Sequence, residues 1–215
     1  MATLPRSVFI GPWIQGTIIS MMDRFKAGIN PPGPEDAHDH DGLCTALPLI
    51  LKQGSSLDFE ELKTAFKIVT VEDTAIDHYH AEAYLISQFL QGAEDPIGAT
   101  KLKFNDNKDI AGEIAAVQEG MASGASPQDL VKKFGMACPL PGSFQSSLVS
   151  IMGAKSYPDA IKEAIMCGGD CCSRSNFIGA CLGAKFGIEG IPVEWIGKVN
   201  GIEVIINDAI KVFKN

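Results

Sequence analysis

The chain of 215 residues is 46% hydrophobic and 20% charged, which gives one well-filled globular core and excludes a disordered chain. Its formal net charge of −8 argues against a phosphate-backbone partner, so no nucleic acid is expected. Six cysteines without a charged and apolar leader point to thiols in a reducing, cytoplasmic compartment rather than a secreted disulfide framework.

Residues 8–27 read as one helix, or a helix broken near Pro12, with Ile18, Met21, Met22 and Phe25 at helical spacing. Its apolar run is interrupted by Pro12 and Gln15 and is too short to span a bilayer, so no membrane is expected as a partner. Asn30-Pro-Pro-Gly-Pro34 breaks the chain. A polar loop over 35–41 holds His38 and His40, and a helix over 43–52 has Gly54 behind it. Asp58 or Ser56 caps a helix over 59–69. A long amphipathic helix over 74–90 sets Ala75, Tyr79, Ala83, Ile86 and Leu90 at helical intervals and ends at Gly92. Residues 93–108 read as loop or weak helix.

A helix over 110–121 follows, with Gly124 beyond it. Ser126-Pro127 starts another, with proline at the first helical position. Pro139 and Pro141 precede a helix over 143–153, and Tyr157-Pro-Asp opens the helix that runs to Gly168. The last helix covers 202–213. Nothing alternates with the period of a strand. The fold class is therefore all-α: a single domain, a compact multi-helix bundle of roughly ten short helices.

Residues 161–196 hold the densest chemistry. An apolar helix runs into Gly168-Gly169-Asp170, and a second helix follows with small residues at Gly179, Ala180, Gly183 and Ala184. Gly187-Ile-Glu-Gly-Ile-Pro192 and Trp195 close the segment, where Pro192 and Trp195 pin the last helices to the core. Asp170 reads either as an N-cap, a favoured role for aspartate, or as a ligand for a metal or a ribose hydroxyl. Cys171 and Cys172 stand at a helix N-terminus, where the dipole favours thiolate and Arg174 adds to it. They are redox thiol candidates, or two small residues in a packed turn.

His38 and His40, with Asp39 and Asp41, and His78 and His80, with Asp77, form two His-x-His pairs of the type that binds zinc or copper. Residues two apart on a helix diverge, so His78 and His80 do not share an ion. The favoured reading for all four is a solvated loop and helix surface. Gly179, Gly183 and Ala184 mark close helix packing, and the serines at 143, 146, 147 and 150 form no hydrolase elbow.

The 161–196 string resembles the ADP-ribosylglycohydrolase family, and within it the J-type crystallin and selenoprotein J branch. The family pattern is Gly-Gly-Asp-Thr-Asp-Thr/Ser, a small-residue helix, then Gly-Ile-x-x-Ile-Pro-x-x-Trp. Further matches are His40-Asp-Gly-Leu-Cys-Thr-Ala-Leu-Pro48, the segment 69–83 opening on Val69-Thr-Val-Glu-Asp, and Ala137-Cys-Pro-Leu-Pro-Gly-Ser. The resemblance covers about 40–205 and lacks the family's N-terminal Gly-Asp and Thr-Asp-Asp motifs. It implies a hydrolase of ADP-ribosyl bonds that uses magnesium, with ADP-ribose or an ADP-ribosylated substrate as partner.

By position, Asp170 and Ser173 match metal ligands, while Cys172 replaces the second aspartate. Thiolate is a poor ligand for magnesium. The resemblance therefore implies a degenerate metal site with magnesium weak or absent, and a structural or thiol-bearing role. A magnesium-dependent hydrolase and non-catalytic nucleotide or partner binding are the alternatives. Apolar helix faces left exposed favour a homo-oligomer.

Overall fold

The computed structural model describes residues 14–214, apart from the side chains of residues 41, 213 and 214. Twelve α-helices are described: α1 (Gly16–Lys26), α2 (Leu47–Gln53), α3 (Phe59–Phe66), α4 (Asp73–Leu90), α5 (Pro96–Lys103) and α6 (Lys108–Ala122) come first. They are followed by α7 (Pro127–Phe134), α8 (Gly142–Gly153), α9 (Tyr157–Met166), α10 (Cys171–Phe186), α11 (Val193–Ile196) and α12 (Ile202–Lys214). Two 3-10 turns, His40–Thr45 and Ile188–Gly190, complete the set. Among the described residues there is no strand, only an isolated bridge between Asp39 and Pro139, and no helix is long and apolar enough to cross a membrane. The all-α reading holds.

Local chemistry explains most helix starts. The Asp58 carboxylate accepts from the Glu60 and Glu61 N–H groups, Ser126 from Asp129 N–H and Ser156 from Asp159 N–H. Each satisfies donors that the first turn leaves orphaned. Pro127 and Pro158 sit within the first turn, where a missing N–H costs nothing. Residues 93–108, read as loop or weak helix, hold the short helix α5. Asp95 caps α5 by accepting from Gly98 N–H, and Ile97 and Thr100 are buried. Packing on α4 and α6 overrides a composition that is poor for helix. The expected helix over 8–27 is seen from Gly16; residues 8–13 lie outside the described residues.

Helix α10 is the axis of the body. It packs against α4, α8 and α9 and touches the His40–Thr45 turn. Phe177, Ile178, Cys181 and Leu182 are its buried face, and the Phe177 ring stacks on Phe144 of α8 with centroids 6.0 Å apart. The small residues Gly179, Ala180, Gly183 and Ala184 instead line an open apolar groove with Leu47, Leu51 and Leu90. A Cβ on Gly179 would stand 3.3 Å from the Tyr157 hydroxyl of α9, whereas one on Gly183 would meet nothing. The close packing expected here is therefore found at Gly179 and not at Gly183. Pro192, the N-cap of α11, and Trp195 within it are half-buried.

Candidate functional site

The polar groups of this fold gather where two loops meet. His40 N–H donates to Cys138 C=O and Leu140 N–H to His38 C=O, which joins residues 38–40 to 138–140. Gly42 follows, and a Cβ there would collide with the Tyr79 ring. The Tyr79 hydroxyl donates to Asp39 C=O. Close packing of a glycine on an aromatic ring thus fixes the start of the 3-10 turn.

The Asp39 carboxylate is fully engaged. Its Oδ2 accepts from Thr17 Oγ1 at 2.6 Å and Gln15 Nε2 at 2.9 Å. The Cys138 thiol also bonds to Asp39. Burial, that bond and the negative charges of Asp39 and Asp170 push the thiol up to about 12. Cys138 therefore stays protonated at physiological pH and serves as a donor, not a nucleophile. Beside Asp39 opens a mostly apolar cavity of about 270 Å³, lined also by Gln15, Thr17, Cys44, Tyr79 and Asn176. Asn176 belongs to α10, in its second turn.

At that start, Gly168 and Gly169 adopt φ of 74° and 72°. A Cβ on Gly169 would run into the Met136 carbonyl, which also accepts from Asp170 N–H at 2.7 Å. Only glycine meets both demands. Asp170 is the N-cap of α10. Its Oδ1 accepts from Ser173 N–H at 3.2 Å and its Oδ2 from the Ser173 hydroxyl at 2.9 Å. Ser173 is buried, Cys171 half-buried and Cys172 exposed. Arg174 is buried and donates to Met136 C=O at 2.9 Å, to Ala164 C=O at 3.4 Å and to Gly168 C=O.

Magnesium asks for a near-octahedral oxygen shell. Asp170 and Ser173 turn their oxygens on each other, the next residue in the pattern is a thiol, and Asp39 is occupied by three donors. Among the described residues no three His, Cys, Asp or Glu side chains gather in a metal-binding group.

The histidines overturn the surface reading. His40 is 1% exposed and lies 2.7 Å from the buried Glu82 carboxylate, Nε2 to Oε1. The two are not aligned for a directional hydrogen bond, and His40 Nδ1 and Glu82 Oε2 lack hydrogen-bond partners. Coulomb attraction depends little on that alignment, so with His40 protonated the contact is an ion pair. His78, also 1% exposed, bonds Thr74 C=O through Nδ1 and Glu113 through Nε2 at 2.8 Å. Burial alone lowers its pKa, but Glu113, by hydrogen bond and charge, and the Thr74 carbonyl raise it on balance. His80 packs on Phe59 with its pKa lowered by burial, and only His38 is exposed. A polar residue can be buried when a partner is built for it. Here the partners stand 42 and 35 positions away in sequence. The Asp41 side chain lies outside what is described.

Comparison with known proteins fits this geometry. A family model described as ADP-ribosylglycohydrolase matches residues 6–215, extending the similarity beyond 40–205 at both ends. Crystallin J1A of Tripedalia cystophora is 24% identical over 197 residues, and Crystallin J1B of the same animal 25% over 200 residues. Both matches cover 91% of this chain and 61% of the relative, so the chain spans less than two thirds of their length. A solved structure titled "ADP-ribosylglycohydrolase-related protein complex" superposes with a TM-score of 0.70 at 18% identity. That superposition covers 93% of this chain and 69% of the other, and it speaks for the fold.

Proposed function

The chain belongs to the ADP-ribosylglycohydrolase family, and from that premise we propose that it is a non-hydrolytic member whose metal position has become a helix cap. Its role on this reading is structural, as a compact body of the crystallin J kind. One observation carries it: both carboxylate oxygens of Asp170 are bonded to Ser173, the other residue that matches a metal ligand. Cys172, where the pattern has its second aspartate, offers a soft sulfur to a hard ion.

Calorimetric titration of ADP-ribose with and without magnesium tests the reading, with Cys172→Asp alongside. The expected result is no magnesium-dependent heat from the natural chain and a weak magnesium-dependent signal from the variant. Magnesium-dependent binding by the natural chain, or release of ADP-ribose from a modified protein, would establish the magnesium-dependent hydrolase instead. A second reading is binding of a nucleotide without turnover. The cavity beside Asp39, with Asn176 and Thr17 on its wall, favours it. Its signature is heat of binding that magnesium does not change.

A further inference from the structure

Helix α1 is thinly anchored. None of its residues is buried, and Ile19, Met22 and Phe25 are exposed. Its start is tied to the body through one carboxylate: Asp39 accepts from Thr17 and from Gln15, the N-cap residue. Its last turn is tied through Arg24, whose Nε–H donates to Pro32 C=O at 3.1 Å. Two cavities border the helix. One is the cavity of about 270 Å³ beside Asp39, to which α1 gives Thr17 and Ile18. The other, of about 180 Å³, lies between Gly16, Thr17 and Ser20 of α1 and Pro34, Asp36 and Ala37. Ala37 lines both. Atoms that face a void forfeit dispersion contacts, and an element with few buried apolar contacts opens locally at low cost.

The floor of the larger cavity is apolar: Ala37, Val69 and Tyr79 are buried. Its polar side chains are already engaged within the protein. Thr17 and Gln15 donate to the Asp39 carboxylate, the Tyr79 hydroxyl to Asp39 C=O and the Thr45 hydroxyl to Gly42 C=O at 2.8 Å. Asn176 stands exposed at the rim. Among the described lining residues there is no Lys, Arg or His, and Asp39 adds a carboxylate. A phosphate or other anion would lose its water and meet no cation in return. An apolar guest gains from the same transfer out of water. Benzene fills an apolar cavity of about 150 Å³, and drug-sized ligands take about 300–1,000 Å³. A cavity of about 270 Å³ therefore suits a body of about two or three rings.

We infer that this cavity binds a small uncharged apolar molecule, with α1 as its lid and the Asp39 carboxylate as the latch. The guest enters when Thr17 and Gln15 release Asp39 and α1 swings on the end that Arg24 holds. It is enclosed when the two donors bond to Asp39 again. The site does not use the Asp170–Ser173 cap, so the inference stands apart from the structural role proposed above. It competes with nucleotide binding in the same cavity, and the charge of the guest tells the two apart.

The test uses the full chain and two fluorescent probes that share one aromatic body: uncharged N-phenyl-1-naphthylamine and its anionic relative 1-anilinonaphthalene-8-sulfonate. The neutral probe is expected to bind saturably and at least about tenfold more tightly than the sulfonate. Ala37→Leu fills the cavity from its floor and should abolish the saturable site. Ile18→Phe fills it from the lid and gives the same readout should the first variant fail to fold. Thr17→Val removes the shorter bond of the latch, so stopped-flow association of the neutral probe should become about fivefold faster. AMP should leave the bound probe in place. Equal affinity for the two probes, or an unchanged site in the filled variants, overturns the site, because the probe then rests on exposed apolar surface such as Val204 and Ile205 of α12. An unchanged association rate in Thr17→Val overturns the lid. Displacement of the probe by AMP overturns the uncharged guest in favour of a nucleotide.

Discussion

Around α4 the buried histidines stand against carboxylates, His40 against Glu82 and His78 against Glu113. At the turn that opens α10, the buried Arg174 has only carbonyls, and the Asp170 carboxylate nearby is satisfied by its own helix. The first arrangement locks distant segments together and is costly to break from one side. The second ties the turn to Met136, 38 positions before Arg174, through backbone carbonyls instead of a carboxylate. The comparison teaches that this molecule buries a basic side chain in two ways, against a carboxylate around α4 and against backbone carbonyls at the turn that opens α10.

The largest expected effect breaks the matched side. Glu82→Ala strands His40 without its partner in a sealed core, and removal of one member of a buried pair costs about 3–5 kcal/mol. Urea unfolding should show a midpoint far below that of the natural chain, or no cooperative transition. If Glu82→Ala is as stable as the natural chain, the pair is not a structural lock. Gly169→Ala comes next. A side chain at φ 72° facing the Met136 carbonyl should cost about 1–3 kcal/mol through backbone strain alone. The same unfolding experiment reads it.

Asp170→Ala sharpens the contrast from the other side. As a cap it should cost only about 1 kcal/mol, close to the loss from Asp58→Ala at α3. A much larger loss would mean that Asp170 holds more than its own helix. The smallest effect is a pH dependence. The raised pKa of His78 contributes stability that is fully present below its unfolded value of about 6.5 and is lost as pH rises through the folded value. The lowered pKa of His80 acts oppositely, and its contribution fades as pH falls. Glu113→Gln removes the main support of His78. The variant should lose more melting temperature than the natural chain between about pH 7.5 and pH 5.5. Equal losses would break the assignment of His78 to Glu113.

Sequence patterns made much of this legible. The Asp58 and Ser126-Pro127 starts, the Gly92 and Gly124 stops and the Gly-Gly-Asp turn are local chemistry, written in adjacent residues. Helix α5 was legible only as loop or weak helix: Asp95-Pro96 is a start signal, but Gly98 weakens a short segment that packing against α4 and α6 supports. The burial of His40 and His78 was hidden for the same kind of reason. Each looks like a surface histidine until the fold delivers a glutamate. In the candidate site, Asp170 and Ser173 were visible as a pair through the family pattern, and their mutual hydrogen bond was consistent with the capping alternative. The meeting of Asp39 with Cys138, and the Asn176 wall of the cavity, had no signal in the sequence. No periodicity links two loops that far apart.

The bridge between Asp39 and Pro139 sets the order of events during folding. Its strands of chain are roughly a hundred residues apart, and closing such a loop carries an entropy cost that local helices never meet. Segments such as α6 with α7, or α9 with α10, can dock while still neighbours in the chain. The cavity beside Asp39 comes into being only when both halves have condensed. Substitutions at Thr17, Asp39 or Cys138 should therefore speed unfolding and leave the refolding rate nearly untouched. On loop-closure grounds the cleft is expected to form late and open early, which the paired folding and unfolding rates of these variants check.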